Sequence, residues 1–373
     1  MRGLLTVSVV LALSLAPGVT VAAEEEPSST GSFSPAGSLV EARISHTATP
    51  LPDGRVLIVG GQNLGSILTS AEVWDPVTAS FGPAGSLAEA RWGHTATLLP
   101  DGRVLIVGGA YYDEDGDAEA FASAEVWDPV TASFGPAGSL AEARWGHTAT
   151  LVPDGRVLVV GGRGDVLASA EVWDPATASF GPAGSLAEVR MVHTATLLSS
   201  ARVLVVGGLD ADGPLASAEV WDPATASFGP AGSLAEGRGM HTANLLPGGR
   251  ILVVGGMEGG PDSVLASAEV WDPATGTFGP AGSLAERRFT HTATLVPGGR
   301  VLVVGGWDGS NADTASAEVW DPATASFGPA GSLSEGRSGH TATLVPDGRV
   351  LVVGGRATDA TLASAEVWEP SDR

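Results

Sequence analysis

Seven histidines, His46, His94, His147, His193, His241, His291 and His340, each follow an arginine by three residues: Arg43, Arg91, Arg144, Arg190, Arg238, Arg288 and Arg337. Imidazoles in such number could ligate a metal, and a ring of guanidinium groups could hold an anion. The repetition argues against both. Each pair recurs in the same local sequence and so fills the same slot seven times, whereas a metal needs three or four ligands converging on one point. The arginines are expected to pair with the glutamates of a recurring Glu-Val-Trp, and neither a metal site nor a cofactor is expected.

Chemistry that differs from repeat to repeat sits elsewhere. The two residues between arginine and histidine vary: Ile44-Ser45, Trp92-Gly93, Trp145-Gly146, Met191-Val192, Gly239-Met240, Phe289-Thr290 and Ser338-Gly339. If exposed, Ile44, Trp92, Trp145, Met191, Met240 and Phe289 would form an apolar patch of the kind that marks a binding surface; otherwise they tuck under neighbouring loops. A second variable stretch carries acids in six of seven repeats: Asp113 to Glu119, Asp165, Asp210 with Asp212, Glu258 with Asp262, Asp308 with Asp313, and Asp359. In the longest, Asp113, Asp115 and Asp117 are spaced like a calcium loop. It lacks the glycine after Asp117 and the bidentate glutamate of an EF-hand, so it reads as a flexible acidic tip beside the binding face.

The elements that must position these residues follow from the fixed part of the repeat. Each histidine lies 15 residues before the second glycine of a Gly-Gly pair, and each Glu-Val-Trp glutamate before the last lies 22 residues ahead of the next histidine. All length variation therefore falls between Gly-Gly and Glu-Val-Trp. A unit of this size repeated seven times predicts one closed array, a seven-bladed β-propeller of four-stranded antiparallel blades. Strand a is His-Thr-Ala-Thr-Leu. Strand b, such as Val104-Leu105-Ile106-Val107, is apolar at every position, as for a sheet covered on both faces. Strand c places Glu125 and Trp127 on one face and Val126 on the other. Strand d reads as short, centred on residues such as Phe134.

Pro100-Asp101-Gly102 predicts a tight a–b turn with glycine at positive φ. In repeat four that slot holds Ala201. The d–a and b–c connections of a meander emerge on one face, so the variable pairs and variable loops should share it. The array opens with Ser32-Phe33-Ser34-Pro35, a d strand without its blade, and closes with Glu366-Val367-Trp368, a c strand without its d. The first should complete blade seven and remove an open edge.

The double glycine after an apolar strand, the strand-c aromatic and the aspartate after it resemble the kelch repeat family, in a bacterial secreted form related to the propeller domain of galactose oxidase. The resemblance covers Ser32 to Trp368 and implies a propeller and often a partner-binding face. Galactose oxidase-like chemistry would need copper held by tyrosines and histidines with a tyrosine–cysteine crosslink. This sequence has no cysteine and only Tyr111 and Tyr112, adjacent in one loop, so a copper-radical oxidase is not expected. Some periplasmic kelch proteins are sugar-acid mutarotases, which supplies an enzymatic alternative.

The net charge is −23, from 42 acidic residues against 19 basic ones that are all arginine. That balance excludes a nucleic-acid surface. Met1-Arg2, the apolar run from Leu4 to Leu15 and Val21-Ala22-Ala23 read as a signal peptide over residues 1–23, followed by a linker over 24–31 and the propeller over 32–370. A secreted, periplasmic or envelope location is expected, without membrane insertion after cleavage and without a C-terminal anchor. The sequence thus predicts a monomeric, non-catalytic module for a protein or glycan ligand.

Overall fold

The computed structural model describes residues 31–371 except 64, 165, 166, 261, 262, 311 and 359. The expected signal peptide and the linker as far as residue 30 lie outside the described residues. Seven four-stranded antiparallel sheets form the body. Blade two is representative: Thr95–Leu98, Val104–Val107, Ser123–Asp128 and Ser133–Ser139 are strands a to d. Strand a of each blade lies beside strand a of the two adjacent blades, and the seven close a ring around the axis.

The four apolar residues of strand b are buried in all seven blades, because adjacent blades cover both its faces. The hydrophobic core is divided into seven clusters, each lying between two blades; the one between blades two and three joins Leu105 and Val107 to Val157, Val159 and Trp173. Each strand-c tryptophan is buried in such a cluster. Its indole N–H also crosses the seam, as Trp127 Nε1 donates to the Ala84 carbonyl of blade one at 2.9 Å.

Strand d is not short. It runs seven residues in blades one to six, with a bulge opposite the Ser-Ala-Glu segment of strand c. Its Gly-Pro-Ala-Gly sequence suggests a turn, but this is the outermost strand, where a proline costs no ladder hydrogen bond to a further neighbour.

The ring closes as the ragged ends require. Gly31–Ser38 pairs antiparallel with Ser364–Pro370, with Phe33 opposite Trp368, and becomes strand d of blade seven. Ala36 and Leu39 then join blade one's Val56, Ile58 and Trp74 in a shared cluster.

The a–b turn of repeat four keeps its conformation. Ala201 sits at φ 65°, where Gly102 has φ 87°. An L-residue pays on the order of 1 kcal/mol in this region. Ala201→Gly is therefore expected to stabilise the fold by about 1 kcal/mol, read as a higher denaturation midpoint. An unchanged or lower midpoint would show that the turn carries no strain.

Candidate functional site

The repeated charges are consumed inside the blades. All seven Arg-x-x-His arginines are fully buried, and each reaches the Glu-Val-Trp glutamate of its own blade at 2.8 to 3.3 Å. Arg144 shows the pattern. Its Nη2 donates to Glu171 Oε1 at 2.8 Å, and its Nη1 to the carbonyls of Gly161 and Ser169 at 2.9 and 3.0 Å. Glu171 also accepts the Ala141 N–H at 2.9 Å. Burial lowers the arginine pKa and the glutamate opposes that shift. The expected structural pairing is what forms, and no ring of free guanidinium groups faces the axis.

The histidines form a second closed circuit. Nε2 of each is hydrogen-bonded to the strand-a threonine Oγ1 of the preceding blade at 2.9 to 3.0 Å, from Thr47 with His94 round to Thr341 with His46. The double glycine admits backbone as well as histidine, since an added Cβ would lie 2.8 Å from the Arg91 carbonyl oxygen at Gly60 and 2.6 Å from that of Ile44 at Gly61. A Cβ on Gly60 would lie 2.9 Å from His94 Cε1, and one on Gly61 2.9 Å from His46 Cβ, with both residues at positive φ. Burial, then the charge of the blade's own arginine, pushes His94, His147, His241 and His340 down to about 3. Burial first and that arginine next also lower His46, His193 and His291 well below the ordinary range.

The variable pairs lie above these layers. The first residue of each bridges to the residue just after Gly-Gly: Ile44 to Gln62, Trp92 to Ala110, Trp145 to Arg163, Met191 to Leu209, Gly239 to Met257, Phe289 to Trp307 and Ser338 to Arg356. The second residue always has a positive φ, 48° to 64°, whether it is Gly93, Gly146 and Gly339 or Ser45, Val192, Met240 and Thr290. Its N–H donates to the carbonyl of the equivalent residue one blade back, from Gly93 to Ser45 round to Ser45 to Gly339, at 2.8 to 3.4 Å. Seven such bonds close a third ring, a backbone circuit that runs through the variable pairs.

Of the residues expected to bind, Trp92 and Trp145 are brought together, with ring centroids 4.9 Å apart. Both are half-buried, as are Ile44, Met191 and Met240, while Phe289 is buried under Trp307 with centroids 5.3 Å apart. Phe289 thus takes the tucked arrangement. Asp113 Oδ1 accepts the N–H groups of Asp115 and Asp117 at 3.0 and 2.9 Å, an Asx turn that ties the acidic tip to itself. Among the described residues no group of three or more histidines and acids could hold a metal ion. Asp165, Asp262 and Asp359 lie outside the described residues.

Three residues join the site that sequence reasoning did not select. Tyr112 stacks on Trp92 with centroids 5.5 Å apart, Arg163 lies 5.8 Å over the Trp145 ring, and Trp307 covers Phe289. For Arg163 and Trp307 the signal is the position directly after Gly-Gly, which bridges to the first residue of the variable pair; Tyr112 lies two residues further on, in the longest b–c loop. Tyr111 and Tyr112 are the exposed aromatics of this face. Beside Tyr112 a pocket of about 320 Å³ opens between the b–c loops of blades one and two, lined by Gln62, Asn63, Gly65, Ser66, Ile67 and Tyr112. Larger clefts of 370 to 440 Å³ lie between adjacent outer strands, but repeated residues line them, so they recur from blade to blade.

No curated protein matches the sequence. The fold is similar to a solved structure titled as a novel fungal alcohol oxidase with catalytic diversity among the AA5 family, in complex with copper, at TM-score 0.74 and 20% identity, covering 91% of this chain and 76% of that one. The residues here do not fit copper, since the seven imidazoles are divided among seven blades with each Nε2 bonded to a threonine. Residues 288–333 match the Kelch motif. They run from the buried arginine of blade six to the end of its outer strand, and the other blades repeat that unit in spacing, register and hydrogen bonding. The chain is a seven-bladed β-propeller whose sixth blade matches the Kelch motif and whose other blades are built on the same unit.

Proposed function

We propose that this propeller is an exported, non-catalytic binding module that takes a protein or glycan ligand on the face formed by its b–c and d–a loops. The observation that carries the reading is a separation of roles. Residues identical in every blade are spent on internal hydrogen bonds, and residues that occur once gather around one mouth, where aromatic side chains stack. Export rests on the leader-like residues 1–23. The mutarotase alternative would use loop carboxylates with the axial arginines, and those arginines are enclosed with glutamates.

The test is capture of partners from the host's envelope and medium. Trp92→Ala/Trp145→Ala should abolish capture while thermal melting confirms a folded ring. Val77→Ser/Val130→Ser, in exposed c–d turns on the opposite face, should leave it intact. Capture that depends on the valines and ignores the tryptophans would overturn the assignment of the face.

A further inference from the structure

We infer that the ligand is a neutral carbohydrate seated in the pocket between blades one and two, with one sugar-ring face on Tyr112. This rests on the loop face being the binding surface and commits it to one ligand class. The pocket, at about 320 Å³, is at the small end of the range for small-molecule sites. Both its walls are short hairpins: Gln62–Asn63 pairs with Ser66–Ile67, and Ala110–Tyr112 with Ala118–Ala120. The cavity is therefore framed by hydrogen-bonded backbone.

The aromatic wall is a column with one accessible end. Trp145 has Arg163 over its ring, Trp92 lies between Trp145 and Tyr112, and Tyr112 is 45% exposed. The tryptophans are thus positioning residues, and the tyrosine is the contact surface. A pyranose carries an apolar C–H face and a rim of hydroxyls. The C–H groups suit the negative face of an aromatic ring, and the hydroxyls can exchange donors and acceptors with the amide and hydroxyl groups of Gln62, Asn63 and Ser66.

Among the described residues the lining carries no charged side chain. That absence disfavours a cation, which would leave its charge unpaired, and an acidic sugar, which would meet no arginine. Asp113, next to Tyr112 in the chain, is already engaged with two backbone amides of its own turn. A protein ligand would seek a broad apolar centre, whereas here the apolar contact is a narrow strip, Tyr112 and Ile67, flanked by the polar groups of Gln62, Asn63 and Ser66.

The intact propeller is titrated with cellobiose, maltose, lactose and mannobiose, with sialyllactose and spermine as charged probes, and followed by protein-observed NMR. A neutral disaccharide is expected to bind with Kd on the order of 1 mM, as for one stacked ring in a shallow site. Tyr112→Ala should weaken it about tenfold or more, and Tyr112→Phe, which keeps the ring, by no more than about threefold. Binding of the charged probes alone, or of a neutral sugar with no sensitivity to Tyr112→Ala, would overturn the proposal. Failure of every sugar, with capture of an envelope protein still lost in Trp92→Ala/Trp145→Ala, would overturn the carbohydrate and leave the binding face standing. Failure of both would remove the two together.

Discussion

Acidification from pH 7 to pH 4 is expected to unfold this propeller in one steep transition, with its midpoint between about pH 4 and 6. The cause is the histidine circuit. In the folded chain the seven rings are buried and neutral, four of them held down to about 3 and the others well below the ordinary range. In the unfolded chain each titrates near 6.5. The folded pKa is the lower one, so the unfolded state binds more protons in this window. Stability is full above about pH 6.5 and falls as pH drops toward 3, by about 1.4 kcal/mol per pH unit for each proton of difference.

Seven sites acting together would remove on the order of 10 kcal/mol by about pH 5.5, comparable to the whole stability of a typical domain. The surface carboxylates Asp53, Asp101 and Asp154 are lowered mainly by hydrogen bonds to Arg55, Arg103 and Arg156, so their loss comes below their ordinary range, under pH 4. Proton uptake on unfolding, measured by calorimetry above pH 5, isolates the histidines. Uptake approaching seven is expected. A ring that stays folded at pH 3.5, or uptake of about one proton, would refute this account.

The second large effect follows from the arginines. Arg144→Ala removes the partner of Glu171, whose side chain is only 7% exposed, and strips donors from the Gly161 and Ser169 carbonyls. Removing one member of a buried pair costs about 3–5 kcal/mol. Replacing both with apolar residues of similar size, Arg144→Met/Glu171→Leu, should cost clearly less, because no charge is left uncompensated. Urea midpoints for the two variants decide it. A single variant near wild type, or a double variant worse than the single, would mean that the pair is not the source of the stability.

Much of this is legible in the amino-acid sequence. The invariant spacing from histidine to Gly-Gly and from Glu-Val-Trp to the next histidine gave the blades, and the arginine–glutamate pairing followed from the two types recurring together. What stayed hidden depended on one-off geometry. Glycine alternates with Ser45, Val192, Met240 and Thr290 at the second variable position, so the shared positive φ could not be read from residue type. Strand d reads short in the sequence because glycine and proline usually break a strand, and only its outermost place makes them harmless. Tyr112 is hidden because its loop varies in length and so has no counterpart in other repeats; its stacking on Trp92 arises from the longer b–c hairpin of this blade, Ala110–Tyr112 with Ala118–Ala120.

The seam in blade seven has a mechanical consequence. Gly31 lies opposite Pro370, so the two ends of the ring leave from the same edge of the same strand pair. A force pulling those ends apart loads the pair as a zipper, breaking its hydrogen bonds one after another, where a shearing load would strain them all at once. The same peel draws Ala36 away, and its carbonyl is the acceptor for Trp74 Nε1 of blade one at 3.0 Å. A tether on one end leaves the seam unstressed, whereas tension between both ends should open blade seven at forces the other six would withstand, turning a closed ring into an unclasped one.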